Sequence, residues 1–272
     1  MNQINVKLII IVFCLFSLVS LGQEKQKVYM SMDTKMVVDE YRLIVVTLRT
    51  RVDGKFKPVQ GVEVEILMKA DKKDKSVTHV VTDKEGVANF AIAKDYPYFR
   101  DEDGKYTILA KFKGDNNLKK ANKKVNVRDL VINADFNETN SEKKINISIL
   151  EFIKDSLTIP EADIDFKVFV DRMFADLELA SGNFTEGKAE VIIPNNIPGD
   201  PNGKINLIIA VDERDYKLVE LTKEINWGVP LKVEEVRNKN ATTISYIAFM
   251  ITSVIVISIF GLLLSRRINN KS

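Results

Sequence analysis

The chain has 272 residues, with 40 Lys and Arg against 38 Asp and Glu, one Cys and one His. A single cysteine excludes a disulfide framework, and with a single histidine it leaves no zinc, copper or haem ligand set. Near-neutral charge of interspersed sign gives no sign of a nucleic-acid surface or of a strongly charged ligand.

At the N-terminal end, Lys7 precedes the uncharged run Leu8 to Leu21, and Ser20 and Gly22 stand three and one residues before the polar shift at Gln23. That run is short for a membrane span, and small residues at those spacings mark a signal-peptidase site, so residues 1–22 read as a cleaved secretory signal. Cys14 lies inside it without a lipobox ahead, which leaves a cysteine-free mature chain. An exported body without cysteines relies on its hydrophobic cores and points to a bacterial envelope. Setting aside Lys7, Arg266, Arg267 and Lys271 leaves 36 basic against 38 acidic residues in that body.

About 200 residues follow, enough for two domains of roughly 100 each. They show β-branched and aromatic residues alternating with polar ones between Gly, Asn and Asp turns, and no long helical periodicity. Three segments recur at an offset of about 100 residues, the signature of an internal duplication. Val62 to Ile66 alternates like a half-buried strand, and so does Ile164 to Val168. The turn and strand Glu85-Gly86 to Ile92 is matched by Glu186-Gly187 to Ile193, and Asp103-Gly104-Lys105 to Phe112 by Asn202-Gly203-Lys204 to Val211. Further strands are predicted over Tyr41–Arg49, Ser76–Thr82 and Ala121–Arg128. Their counterparts are Lys143–Phe152, Phe174–Ala180 and Lys217–Trp227. Seven or so short strands per half predict an all-β chain of two tandem immunoglobulin-like antiparallel sandwiches, over residues 23–128 and 129–228.

The words Val59-Gln60-Gly61-Val62, Thr82-Asp83-Lys84-Glu85-Gly86 and Lys111-Phe112-Lys113-Gly114-Asp115-Asn116 resemble bacterial immunoglobulin-like domains, with invasin-type and transthyretin-like modules sharing the same vocabulary. The second half departs from it: Asp163 replaces Gly61, and Asp212-Glu213-Arg214-Asp215 replaces the Gly-Asp-Asn bend. The resemblance implies spacers, adhesion modules or domains binding protein or glycan, with no shared activity.

His79 sits mid-strand between Thr78 and Val80, where a histidine is ordinarily packed or solvated, so no catalytic residue and no cofactor is assigned. Two acidic loops hold equivalent places in the repeats, Asp101-Glu102-Asp103-Gly104 and Asp200-Pro201-Asn202-Gly203. Asp101, Asp103, Asp200 and Asn202 offer the oxygen ligands calcium prefers, but neither loop completes an EF-hand. The other reading is turn closure by residues that tolerate positive φ. Trp227 ends the second repeat and reads as a core or domain-edge residue, the other readings being a binding aromatic or an interfacial anchor.

Residues 229–243 read as a juxtamembrane stem, either a helical extension or a flexible tether. Ile244 to Leu264 carries no charge and, as a helix, spans about 31 Å, matching a bilayer core. Arg266, Arg267 and Lys271 in the acid-free tail 265–272 place that tail in the cytoplasm and the body in the periplasm or outside. The expectation is a non-catalytic, single-pass envelope protein whose two sandwiches bind, space or scaffold an envelope protein or glycan, with no nucleic-acid partner. The alternatives are an accessory or sensor subunit of an inner-membrane complex and a calcium-dependent adhesin.

Overall fold

The structure, a computed structural model, describes residues 24–70, 74–153 and 156–231. All regular structure among them is β. The first half holds β1 (Val28–Val37), β2 (Tyr41–Val52), β3 (Lys55–Pro58), β4 (Glu63–Met68), β5 (Lys75–Val81), β6 (Val87–Ala93), β7 (Tyr106–Phe112) and β8 (Ala121–Val127). The second repeats the series with β9 (Leu130–Thr139), β10 (Glu142–Ile153), β11 (Ser156–Thr158), β12 (Asp165–Val170), β13 (Leu177–Asn183), β14 (Lys188–Ile193), β15 (Ile205–Glu213) and β16 (Lys217–Ile225).

Period-two patterning decides which side chains meet. In β2, Ile44, Val46 and Leu48 alternate with partly exposed residues; β4 contributes Val64, Ile66 and Met68, and β7 contributes Ile108 and Ala110, to the same buried cluster. Ile145, Ile147 and Ile149 of β10 meet Phe166 and Val168 of β12 and Leu207 and Ile209 of β15 in a second cluster. Each half is thus sandwich-like. In the first, β2 lies between β1 and the consecutive partners β3 and β6, opposite a sheet ordered β5-β4-β7-β8. In the second, β10 lies between β9 and the partners β11 and β14, opposite β13-β12-β15-β16.

Tight turns close the strands. Asp53 and Gly54 both take positive φ in the two-residue β2–β3 hairpin, and Asn140 and Ser141 do the same between β9 and β10. Thr82, 3% exposed, donates its hydroxyl to the Val59 carbonyl at 2.8 Å and accepts from the Val62 amide at 3.1 Å. The Thr-Asp-x-x-Gly word therefore ties two connections together.

One pairing crosses between the halves. The end of β1 runs parallel to the start of β16, with Lys35 opposite Leu218, Met36 opposite Val219 and Val37 opposite Glu220. An eight-stranded sheet thereby runs through both halves, and Val38, one residue beyond β1, is buried in the second cluster.

The structure corrects the sequence reading in several strands. That expected over Phe174–Ala180 begins at Leu177, because pairing with β12 starts at Val170 opposite Leu177 and residues 171–176 form the connection. Phe174 is 96% exposed there. Strands β1, β9, β3 and β11 were not anticipated. The expected signal 1–22, the stem beyond Leu231, the span 244–264 and the tail lie outside the described residues. Among those described, no helix is long and apolar enough to cross a membrane.

Candidate functional site

The inward faces of β2 and β10 each end in a charged residue at the boundary between the halves. Arg42 continues the phase of Ile44, Val46 and Leu48, and Glu151 that of Ile145, Ile147 and Ile149. Both are 2% exposed. Charges so desolvated need partners, and each has them.

Asp129, in the segment between β8 and β9, accepts from Arg42 at 3.2 Å, Arg100 at 2.5 Å and the Tyr106 hydroxyl at 2.7 Å. Arg42 also reaches the Tyr216 carbonyl and the Thr34 hydroxyl, touching both halves. The Arg100 guanidinium lies over the Phe152 ring of the second half at 4.7 Å. Alongside, Glu151 accepts from Arg128 and, at 2.7 Å, from the Tyr216 hydroxyl, while Lys105 pairs with Asp215 at 2.8 Å.

Burial and the Asp129 carboxylate push the Tyr98 phenol up to about 12, and burial holds the Tyr106 phenol well above its usual value. Burial, aided by the Glu151 carboxylate, raises that of Tyr216. The hydrogen bond from Lys105 lowers the Asp215 carboxyl. These shifts belong to a closed joint in which the Tyr106 and Tyr216 phenols act as hydrogen-bond donors.

Among the described residues, one candidate ligand surface is the outer face of the sheet β13-β12-β15-β16. A shallow groove of about 760 Å³ is lined there by Asp165, Lys167, Phe169, Asn183, Asp212 and Leu218, among others. Phe169 offers a half-buried ring among carboxylate, amide and ammonium groups, a mixture suited to sugar hydroxyls and C–H faces or to a polar protein surface.

The four calcium candidates stand in two Asp-capped turns. One carboxylate oxygen of Asp101 accepts from the amides of Asp103 and Lys105, at 3.0 and 2.8 Å. One of Asp200 accepts from those of Asn202 and Lys204, at 2.7 and 2.8 Å. Asp83 uses one oxygen in the same way with Glu85 and Val87. Among the described residues no group of three or more His, Cys, Asp or Glu is placed to hold a metal. The turns also serve as contacts. A Cβ on Gly104 would fall inside the Phe152 carbonyl of the second half, and one on Gly203 would meet the Gly228 carbonyl at 2.8 Å.

His79 is exposed and faces Glu63 at 3.1 Å, away from the joint. Trp227 is 7% exposed, edge-on to Phe136, with its carbonyl accepting from Lys143 at 2.6 Å. Sequence reasoning missed the joint, although Arg42 and Glu151 announce it by carrying charge in an otherwise apolar inward phase.

No family model matches the chain, and no curated protein does. Among solved structures it is similar to the tetra-tandem repeat in the extending region of a large adhesion protein, at 13% identity and TM-score 0.27, over 74% of this chain and 49% of that one. It is also similar to trypsin-activated alpha-2-macroglobulin from Escherichia coli, at 7% identity and TM-score 0.28, over 78% of this chain and 17% of that one. A third is the glycoside hydrolase domain of Endo-D from Streptococcus pneumoniae R6, at 10% identity and TM-score 0.23, over 77% and 37%. The chain thus spans under half the length of each.

Proposed function

We propose that this chain is a non-catalytic, membrane-anchored envelope protein that holds two immunoglobulin-like sandwiches as one stiff unit and presents the groove beside Phe169 to an envelope protein or glycan. The single observation behind this reading is the joint. A sheet continued from β1 into β16, beside buried ion pairs, resists the bending that separate beads on a linker would allow. A stiff body suits spacing and presentation, since a ligand surface held at fixed height and orientation pays less ordering entropy on binding. The sequence adds the export signal, the apolar run Ile244 to Leu264 and the basic tail, which support a body outside the cytoplasm.

Affinity capture of the full-length chain from detergent-solubilised membranes tests the reading. We expect a protein or glycan to be retained by the native chain and lost with Lys167→Glu and Phe169→Asp, both on the outer face of β12. Equal retention by the variant would remove the groove from the proposal.

A further inference from the structure

The two halves repeat their ends as well as their strands. In the first half, the turn at Gly104 abuts Phe152 and Ile153 of the second half. In the second half, the equivalent turn at Gly203 abuts Gly228 and Pro230, where the chain leaves the sandwich. Pro198 and Val229 form a bridge there, and the Leu231 amide donates to the Asp200 carbonyl. The end by which the first sandwich docks on the second is therefore repeated on the second, where no further sandwich follows among the described residues.

The β12–β13 connection belongs to this end, because the Arg172 guanidinium donates to the Pro198 carbonyl at 2.7 Å. Its six residues are Asp171-Arg-Met-Phe-Ala-Asp176, against Lys69-Ala-Asp-Lys-Lys-Asp74 at the same place in the first repeat. The fold thus has no need of apolar side chains at these positions. Yet Met173 and Phe174 are 90% and 96% exposed, with Leu177, Val229 and Leu231 about half exposed. After Leu231, twelve residues lead to the apolar run that opens at Ile244, a tether of at most about 40 Å. The chain thus leaves the second sandwich from this end on its way to that run.

We propose that this end of the second sandwich rests on the lipid bilayer, with Met173 and Phe174 inserted at the boundary between headgroups and acyl chains. An apolar pair on a loop tip enters that boundary readily. Asp171 and Asp176 flank Arg172, so the contact rests on the apolar pair and not on anionic lipid. The inference depends on the membrane anchor of the proposed function.

The full-length chain, with Cys14→Ser, is reconstituted in phosphatidylcholine nanodiscs carrying brominated acyl chains, with an environment-sensitive dye on a single introduced cysteine. A dye at Val229→Cys should lose most of its emission to bromine, and the loss should vanish when Met173→Asp and Phe174→Asp are added. Both side chains are exposed, so the double variant keeps its cores. A dye at Leu157→Cys, beside the joint, should be unaffected, and one at Ser253→Cys, in the apolar run, should be quenched. Quenching at 253 without quenching at 229, or quenching at 229 that survives the double substitution or falls with added salt, overturns the docking and leaves the anchor standing. No quenching at 253 overturns the anchor and the docking with it.

Discussion

Replacing Asp129 by Ala should be among the most damaging single changes in the body of the protein. Its carboxylate is acceptor for two guanidiniums and a phenol, and the Arg42 side chain is 2% exposed with its Nε already lacking a partner. Removing the carboxylate strands a desolvated cation, which costs about 3–5 kcal/mol, whereas a surface pair would cost under about 1. For some 200 ordered residues, each kcal/mol lowers the melting temperature by about 2–4 °C, so a drop on the order of 10 °C is expected. Thermal melts of residues 23–231 measure that drop and denaturant titration the free-energy loss, followed by far-ultraviolet circular dichroism for both halves and by Trp227 fluorescence for the second. Because the joint couples the halves, the two signals should shift together. Adding Arg42→Met to Asp129→Ala should recover part of the loss, since the stranded charge leaves with its partner. A loss below about 1 kcal/mol, or a double variant less stable than the single one, would refute the account of the joint as a buried ion-pair lock.

Gly104→Ala should loosen the joint, because its Cβ would run into the Phe152 backbone at a φ of +74°, whereas Gly54→Ala meets open space and should cost only backbone strain, about 1 kcal/mol; comparative thermal melts separate them. Alkaline titration should destabilise the protein from about pH 10 upward. The raised phenols of Tyr98, Tyr106 and Tyr216 bind protons more tightly folded than unfolded, so their stabilisation is complete below pH 10 and is lost toward about 12 for Tyr98; melts of Tyr98→Phe should show a shallower decline. Millimolar Ca²⁺ should leave the melting temperature unchanged, and Asp200→Ala should lower stability by about 1–2 kcal/mol through two lost amide hydrogen bonds, with or without the metal. A calcium-dependent rise abolished by Asp101→Ala or Asp200→Ala would restore the adhesin alternative.

What the sequence made legible follows the physics of each signal. Strict alternation with Gly or Asp at the turns located β2, β4, β7, β10, β12 and β15, because burial on one face imposes period two on those strands. β9 stayed hidden because its last seven residues, from Asn133 to Thr139, are largely exposed and carry little apolar contrast. β3 and β11 stayed hidden because they are fully exposed and held by backbone pairing with β2 and β10. The run Phe174 to Ala180 misled for the opposite reason. Apolar residues at Met173 and Phe174 look like the start of a buried face, yet they project from a connection.

The calcium candidates and the joint show how one motif carries two kinds of information. The spacing Asp-x-x-Gly reports a turn that needs a carboxylate cap and a positive φ, and both copies meet that need with the same hydrogen bonds. What the turn presses against is a long-range fact that no local spacing records. It is Phe152 in one copy and Gly228 in the other. The two copies therefore share the turn and the side of the sandwich it occupies, and differ in what lies beyond. In the first copy the neighbouring surface carries Arg100, Tyr106 and Asp129, and is an interface within the chain. In the second, the same end carries Met173 and Phe174 beside the exit toward the apolar run. The same end of one fold thus meets protein in the first repeat and, as proposed, lipid in the second, and the difference lies in side chains to which the strand pattern is indifferent.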